Sequence, residues 1–545
     1  MSYAKHYNPS ITPQNEAQPN KKQVKNAAGG YVFPVDKWTF FDRFLIMGSE
    51  NPTYYASAKA LTKENAENVI ACLNEDPIRA ISRIVEISES RRAPKNDPAI
   101  YALALAACSE NAKTRAGALN VLSAVCRIGT HLFQFVDEVT KMRGWGRGLR
   151  TAVANWYLDR RPGDLAFQML KYAQRKGWSH RDLLRLSHPK TNEQEFNAVF
   201  KYVTNGMKDY PDIFWQPTII KGLEKLRGIA HEPQKAANII TAYQLPREVV
   251  ELVDTGLLQH KEVWEALLQT MPITAMIRNL GKMTAIELLT PHSAAVKHVV
   301  KTLSDKERIQ KSGVHPIAIL MALKTYTQGH GGKGKLHWEA VSEISDVLDD
   351  AFYASFANVE PTGKQRLLAI DCSGSMDFAH AATNGVTPRV ASAAIALITK
   401  ATEPESVMIS FTDKAQVLDI SPKRRLDDVV KYIGKIGAVA TDCAQPVLLA
   451  ARNKWKFDSI EIYTDNETWA GSIHPSQALR EYRSHFNLKT KMVVAAMTPV
   501  NYSIADPSDG GMLDVVGFDA AVPSLIADFI RGESHEYESK AREEE

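Results

Sequence analysis

Leu367-Leu368-Ala369-Ile370-Asp371-Cys372-Ser373-Gly374-Ser375 is the stretch on which the fold turns. Four consecutive apolar residues, too few for a helix and following Pro361, read as a strand buried on both faces. The strand ends in an aspartate and two hydroxyls. Gly374 lets the chain turn sharply, so that Ser373 and Ser375 can face one point. The pattern then alternates: a helix over Arg389–Thr402, a strand at Val407–Phe411, helices at Leu426–Ile433 and Ala444–Ala451, and a strand at Ile460–Tyr463. A helix at Ser476–Arg483, strands at Met492–Ala496 and Asp514–Phe518, and a helix at Pro523–Ile530 complete it. This alternation predicts a doubly wound, mostly parallel, Rossmann-like α/β domain over residues 361–532, followed by an acidic tail at 533–545.

Upstream the period changes. From residue 31 to 360 apolar residues recur at three and four spacing, as in Asn68–Leu73, Ile78–Ile87, Ile100–Cys108, Ala118–Ile128 and Leu132–Val139. Asp76-Pro77 and Asp97-Pro98 each place an acceptor before a proline, a helix start. More than 300 residues of short helices cannot share one simple core, so a solenoid or ring of stacked helix pairs is expected. Residues 1–30, rich in Asn, Gln, Pro and Lys, read as a mobile, disordered tail.

Composition excludes several classes. At 44% hydrophobic and 23% charged the chain is globular. No apolar run approaches the ~20 residues of a spanning helix, and the start lacks a signal-peptide stretch. Five cysteines, none in a CxxC pair, argue against a disulfide scaffold and for a reducing, cytoplasmic setting. The net charge of +4 is small. It divides unevenly, with 46 basic and 37 acidic residues up to position 360, against 20 and 25 after it.

The basic excess concentrates between Lys141 and Lys190, where 12 Lys+Arg stand against 3 Asp+Glu. Lys171 and Arg175 are four apart in Ala166–Lys176, which puts them on one helix face. Gly177 stops that helix. Ser179 and Asp182 form a capping box for the next, in which Arg181, Arg185 and His188 fall on one stripe while Leu183, Leu184 and Leu186 cover the buried side. Such stripes bind a phosphate backbone by counterion release, and nearby tryptophans can stack on unpaired bases. Solvated helix faces usually mix signs, so the ratio favours a polyanion partner. Trp145, Trp156 and Trp178 are individually better read as core residues, and His180 serves equally as a turn hydrogen-bonder or a contact.

In the α/β half, Asp371, Ser373 and Ser375 stand at the carboxyl edge of the first strand, where such sheets bind ligands. All offer hard oxygen, which suits Mg²⁺, and also Mn²⁺ or Ca²⁺. Thr441-Asp442 opens a helix and Asp465 follows a strand, so both can reach the same edge. D-x-S-x-S with these two later loops resembles the metal-ion-dependent adhesion site of von Willebrand factor type A domains over about Lys364–Ile530. That resemblance implies hydroxyl ligands from Ser373, Ser375 and Thr441, metal-bound waters held by Asp371 and Asp465, and an open position for a partner's carboxylate or phosphate. The usual glycine pair before Thr441 is here Val439-Ala440. An aspartyl phosphotransferase of the haloacid-dehalogenase type would need a carboxylate where Ser373 stands.

The whole chain after residue 30 resembles the Ro autoantigen family of TROVE-module RNA-binding proteins. The matching strings include Arg43-Phe44-Leu45, Gly48-Ser49-Glu50, Thr53-Tyr54-Tyr55, Cys126-Arg127-Ile128, Trp145-Gly146-Arg147, Gly177-Trp178-Ser179-His180, Asp182–His188 and Thr464–Thr468. Asn51-Pro52 replaces the family's two glycines. The resemblance implies a ring of HEAT-like repeats as the TROVE module over 31–360. Its outer basic face would bind Y RNA through Lys171, Arg175 and His188, with Arg181 and Arg185 beside them. Its hole would accept single-stranded 3′ ends of misfolded non-coding RNA, with Lys141, Arg143, Arg147 and Arg150 as candidate lining. It further implies a non-enzymatic role in RNA quality control and work alongside an exoribonuclease. The alternative is a metal-dependent module that recruits an acidic protein ligand, with RNA secondary.

Overall fold

The computed structural model describes residues 11–35, 37–47, 66–89, 95–207, 218–229, 232–331, 335–378, 386–437, 440–486, 488–498, 500 and 502–532. The motifs at Gly48–Tyr55, Val439, residues 1–10 and the tail at 533–545 lie outside these.

From Lys37–Met47 to Ser342–Ala354 the described chain is a succession of short α-helices, the longest being the 14 residues of Gly129–Met142. Their apolar faces join one continuous core containing Phe44, Phe133, Trp156, Leu223, Trp264 and Phe352. Proline sets several starts, as at Pro77, Pro162, Pro233 and Pro316, where the missing N–H costs nothing. Asp76 caps its helix through Arg79 N at 3.0 Å. The Asp97-Pro98 helix instead starts at Asp97, with Asn96 in the N-cap position. The expected single element Ala118–Ile128 is two, Ala112–Asn120 and Leu122–Val125.

The second half is the predicted α/β domain. Strands β5 (Arg366–Asp371), β6 (Ser406–Phe411), β7 (Ala415–Val417), β8 (Ser459–Thr464), β9 (Lys491–Ala496) and β11 (Met512–Val516) form one sheet ordered β11-β9-β8-β5-β6-β7. All its pairs are parallel except β6–β7 at the edge. Every residue of β5 is buried, as the unbroken apolar run requires. Leu368 and Ile370 face the core shared with the helical array, and Leu367 and Ala369 face the opposite layer. The strand order turns back on either side of β5, so its carboxyl end opens at a switch point.

The N-terminal segment corrects the tail expectation. Residues 11–34 lie along the α/β domain, and include β1 (Val24–Lys25) and β2 (Tyr31–Pro34). Strand β2 pairs antiparallel with both β1 and β10 (Tyr502–Ser503). Thr12, Gln14, Gln18 and Asn26 are buried. The segment's low apolar content misled the composition argument: its amides are buried by hydrogen bonds to the helix Pro475–Phe486 and to polar loops, not by packing into a core. Gln477 Nε2 donates to Thr12 Oγ1 at 3.1 Å, Gln18 Nε2 to Ser476 Oγ at 3.1 Å, and Lys21 pairs with Asp506 at 2.7 Å.

Both ends of the helical array rest on this domain. At the start, Arg43 donates to Val500 O and pairs with Asp514 of β11 at 2.6 Å. At the end, Leu426 N donates to Tyr353 Oη at 2.8 Å, and Arg425 pairs with Asp349. The circuit of contacts therefore returns on itself through the α/β domain.

Candidate nucleic-acid interface and metal site

The basic window folds differently from its helical reading. The first helix is Pro162–Lys171 and ends at Lys171. Arg175 lies beyond it, in β3 (Gln174–Arg175), which pairs with β4 (Trp178–Ser179). The connection is Lys176-Gly177, with φ of 51° and 80°. Positive φ at both central residues is what a two-residue type I′ hairpin turn requires. Gly177 thus turns a hairpin and does not stop a helix, and Lys171 and Arg175 do not share a helix face.

The next helix, His180–Ser187, follows its sequence signal closely. Ser179 and Asp182 make the reciprocal capping box. Arg181 and Arg185 are exposed on one side and Leu183 and Leu184 are buried. Leu186, expected on the buried side, is 38% exposed. His188 has left the helix: it is the C-cap, with φ 48° and ψ 59°. His180 points inward. Its ring lies 4.6 Å from Phe133, Nδ1 is 2.9 Å from the Tyr157 hydroxyl, and burial lowers its pKa to about 3. A neutral buried ring is a core element and not an RNA contact.

The other four cations cluster around the neighbouring turn. Lys141 lies in the last turn of Gly129–Met142, Arg143 is that helix's C-cap, and Arg147 and Arg150 begin Arg147–Leu158. The hairpin joins this group to the first, because Trp178 of β4 stacks on Trp145 at 6.5 Å. Trp156 is fully buried, with Arg160 3.6 Å above its ring. Some cations have acidic partners: Lys141 with Asp137 at 2.6 Å, Lys171 with Glu248 at 3.7 Å and Lys176 with Glu138 at 3.7 Å. Among the described residues no carboxylate pairs with Arg143, Arg147, Arg150, Arg175, Arg181 or Arg185, and all six are exposed. The free positive surface is therefore an arginine surface, suited to bidentate phosphate contact.

At the sheet's carboxyl edge three loops meet. Asp371 is buried at the end of β5; its Oδ1 accepts from Ser373 N at 2.8 Å and its Oδ2 from Thr464 Oγ1 at 2.7 Å. Ser373 and Ser375 hold their hydroxyls 3.1 Å apart. Asp465 follows β8, the parallel neighbour of β5, and its Oδ1 accepts from Glu467 N at 3.1 Å. The carbonyl of Thr441 accepts from Trp469 N and Ala470 N, each at 3.1 Å, which joins its loop to the Asp465 loop. Burial, and then the neighbouring Asp465 charge, push the Asp371 carboxyl up to about 6. No lysine or arginine pairs with either carboxylate among the described residues. Nor do three or more His, Cys, Asp or Glu gather there or elsewhere among them. The remaining donors are hydroxyls. Two buried carboxylates with no ion-pair partner of their own, beside the Ser373, Ser375 and Thr464 hydroxyls, fit a hard divalent cation.

Sequence reasoning missed Thr464, which fixes one Asp371 oxygen, and Arg389, which donates to Ser373 O at 3.2 Å while paired with Asp377 at 2.6 Å. A hydroxyl at a strand end and an arginine at a helix start carry no local signal of what they will meet.

Two family profiles match this architecture: TROVE domain over residues 24–219 and 244–325, and Ro60 vWA domain over residues 365–530. The RNA-binding protein RO60 of Deinococcus radiodurans is 38% identical over 531 residues, spanning 96% of this chain and 98% of that protein. The chain belongs to the Ro60 family. The RNA-binding protein RO60 of Caenorhabditis elegans is 36% identical over 94% of this Ro-family chain and 90% of its own length. The crystal structure of the D. radiodurans RO (RSR) protein superposes with a TM-score of 0.75 at 37% identity, over 91% of this chain and all of that one. No described helix of the Ro-family chain is long and apolar enough to cross a membrane.

Proposed function

We propose that the chain is a non-catalytic RNA-binding protein of RNA quality control. In this reading Arg175, Arg181, Arg185 and His188, with Lys171, grip the phosphates of a structured Y RNA on the outer face. Lys141, Arg143, Arg147 and Arg150 guide the single-stranded 3′ end of misfolded RNA into a central hole, for delivery to an exoribonuclease. The observation that carries it is the set of exposed arginines without acidic partners, on the β3–β4 hairpin and the helices beside it, within a module matched by the TROVE profile. The test is binding of a stem-loop RNA with an unpaired 3′ end across a KCl series. Arg181→Ala with Arg185→Ala should weaken binding and reduce the salt slope by about two, roughly one for each lost phosphate contact. An unchanged slope would remove these arginines from the interface.

A second reading concerns the α/β domain, and the buried carboxylates Asp371 and Asp465 at two adjacent strand ends favour it. We infer that they, with Ser373, Ser375 and Thr441, hold Mg²⁺, or Mn²⁺ or Ca²⁺ in its place. The cation would leave one position for an acidic group of a protein partner. Asp371→Ala should then abolish saturable Mn²⁺ binding while leaving RNA affinity intact.

A further inference from the structure

One feature of the strand-end site comes from far away in sequence. Gln14 is fully buried and every polar atom of its side chain is engaged. Its Nε2 donates to Asp442 Oδ1 at 2.7 Å and to Ile473 O at 2.9 Å. Its Oε1 accepts from Thr468 Oγ1. Its backbone N donates to Gly471 O at 2.9 Å and its carbonyl accepts from Tyr31 N at 2.7 Å. Asp442 follows Thr441 directly. Thr468 Oγ1 in turn accepts from Cys443 N at 3.1 Å. One side chain therefore ties the Thr441–Ala444 loop to the loop running from Asp465 to Ile473. The fit is close: a Cβ on Gly471 would lie 2.2 Å from Gln14 Nε2, and one on Gly30 would lie 1.9 Å from Thr468 O. Residues 11–23 fall outside both matched family profiles.

We propose that Gln14, carried by the N-terminal strap of residues 11–34, is a positioning residue for the divalent-cation site. It holds the Thr441 hydroxyl at the place that Asp371, Ser373, Ser375 and Asp465 require. The proposal rests on the metal reading above. The physical reason is that Thr441 stands on a loop outside regular structure, so its oxygen is only as well placed as its neighbours' hydrogen bonds make it. Loss of such outer contacts commonly costs 10–100-fold in metal affinity. Gln14 suits the task because its amide donates to the Asp442 carboxylate and accepts from the Thr468 hydroxyl at once. A glutamate there would face Asp442 with a second negative charge, and an alanine would leave Asp442 and Thr468 short of a partner each.

The test is calorimetric titration of the chelator-treated full chain with MnCl₂ and MgCl₂, with thermal unfolding recorded alongside. Gln14→Ala is compared with Gln18→Ala, which removes a strap anchor to Ser476 and Arg480 on the helix Pro475–Phe486. Gln14→Ala should bind Mn²⁺ at least 10-fold more weakly, and Gln18→Ala like the wild type. Equal binding by wild type and Gln14→Ala would overturn the proposal and leave the metal reading standing. Equal weakening by both variants would make the strap a general brace and also overturn it. A wild-type chain with no saturable binding would refute the metal reading itself, and the role of Gln14 with it.

Discussion

His131, His180 and His315 are held neutral by burial, with pKa values lowered to about 4, about 3 and about 4. In the unfolded chain each would titrate near 6.5. Between 6.5 and the folded values the unfolded state thus binds more protons, and stability falls as pH drops through that window. Each fully neutral histidine contributes up to ~1.4 kcal/mol per pH unit there. The urea midpoint should decline from pH 6.5 toward 4.5, with a shallower slope in His180→Gln, whose side chain takes up no proton. Equal slopes would mean that His180 is not held neutral. Asp371 acts in the opposite sense: its raised carboxyl, at about 6, favours the folded state on acidification through that range. The sequence marks His180 only as the residue after a cap. Its fate is decided by Phe133 and Tyr157, which reach it from two other helices. Contacts of that kind have no local spacing to read, and Gln14 and Thr464 went unseen for the same reason.

Among elements, the hairpin β3–β4 and the helix after it form the unit that presents Arg175, Arg181 and Arg185. Gly177→Val should cost ~1 kcal/mol or more, because a β-branched residue resists positive φ. It should also weaken RNA binding by displacing Arg175. Ser179→Ala removes one half of the capping box and should cost about 1 kcal/mol by urea denaturation. A stability loss from Gly177→Val without any RNA effect would mean that Arg175 is not part of the interface. The capping box was legible because both partners lie within four residues. The hairpin was not. The spacing of Lys171 and Arg175 satisfies a helix equally well, and only the pairing of Arg175 with Trp178, over helix Gly129–Met142, selects the turn. Strands β5, β6, β8 and β9 were read almost to their ends, since a parallel sheet buried on both faces leaves unbroken apolar runs, whereas the short, half-exposed edge strand β7 was not read and β11, expected at Asp514–Phe518, begins two residues earlier.

At the scale of the molecule, what matters is that the array begins and ends on one body. The buried pair Arg43–Asp514 fastens its start. Arg43→Leu would leave Asp514 without its cation and should cost about 3–5 kcal/mol, read as a lower thermal midpoint with earlier cleavage of the helix Lys37–Met47 by a protease. Helix count predicted an array, but no residue spacing predicts what its two ends touch, because the partners lie far off in sequence, 471 positions for Arg43–Asp514 and 73 for Tyr353–Leu426. The arrangement bears on how such a chain comes apart. An open stack of helix pairs melts from its outermost repeats inward, since each of those lacks one neighbour. Here the first and last helices both have a neighbour, so no repeat is terminal. Amide exchange should accordingly be slowed as much at the edges of the array as at its middle, and the array should unzip as a single event.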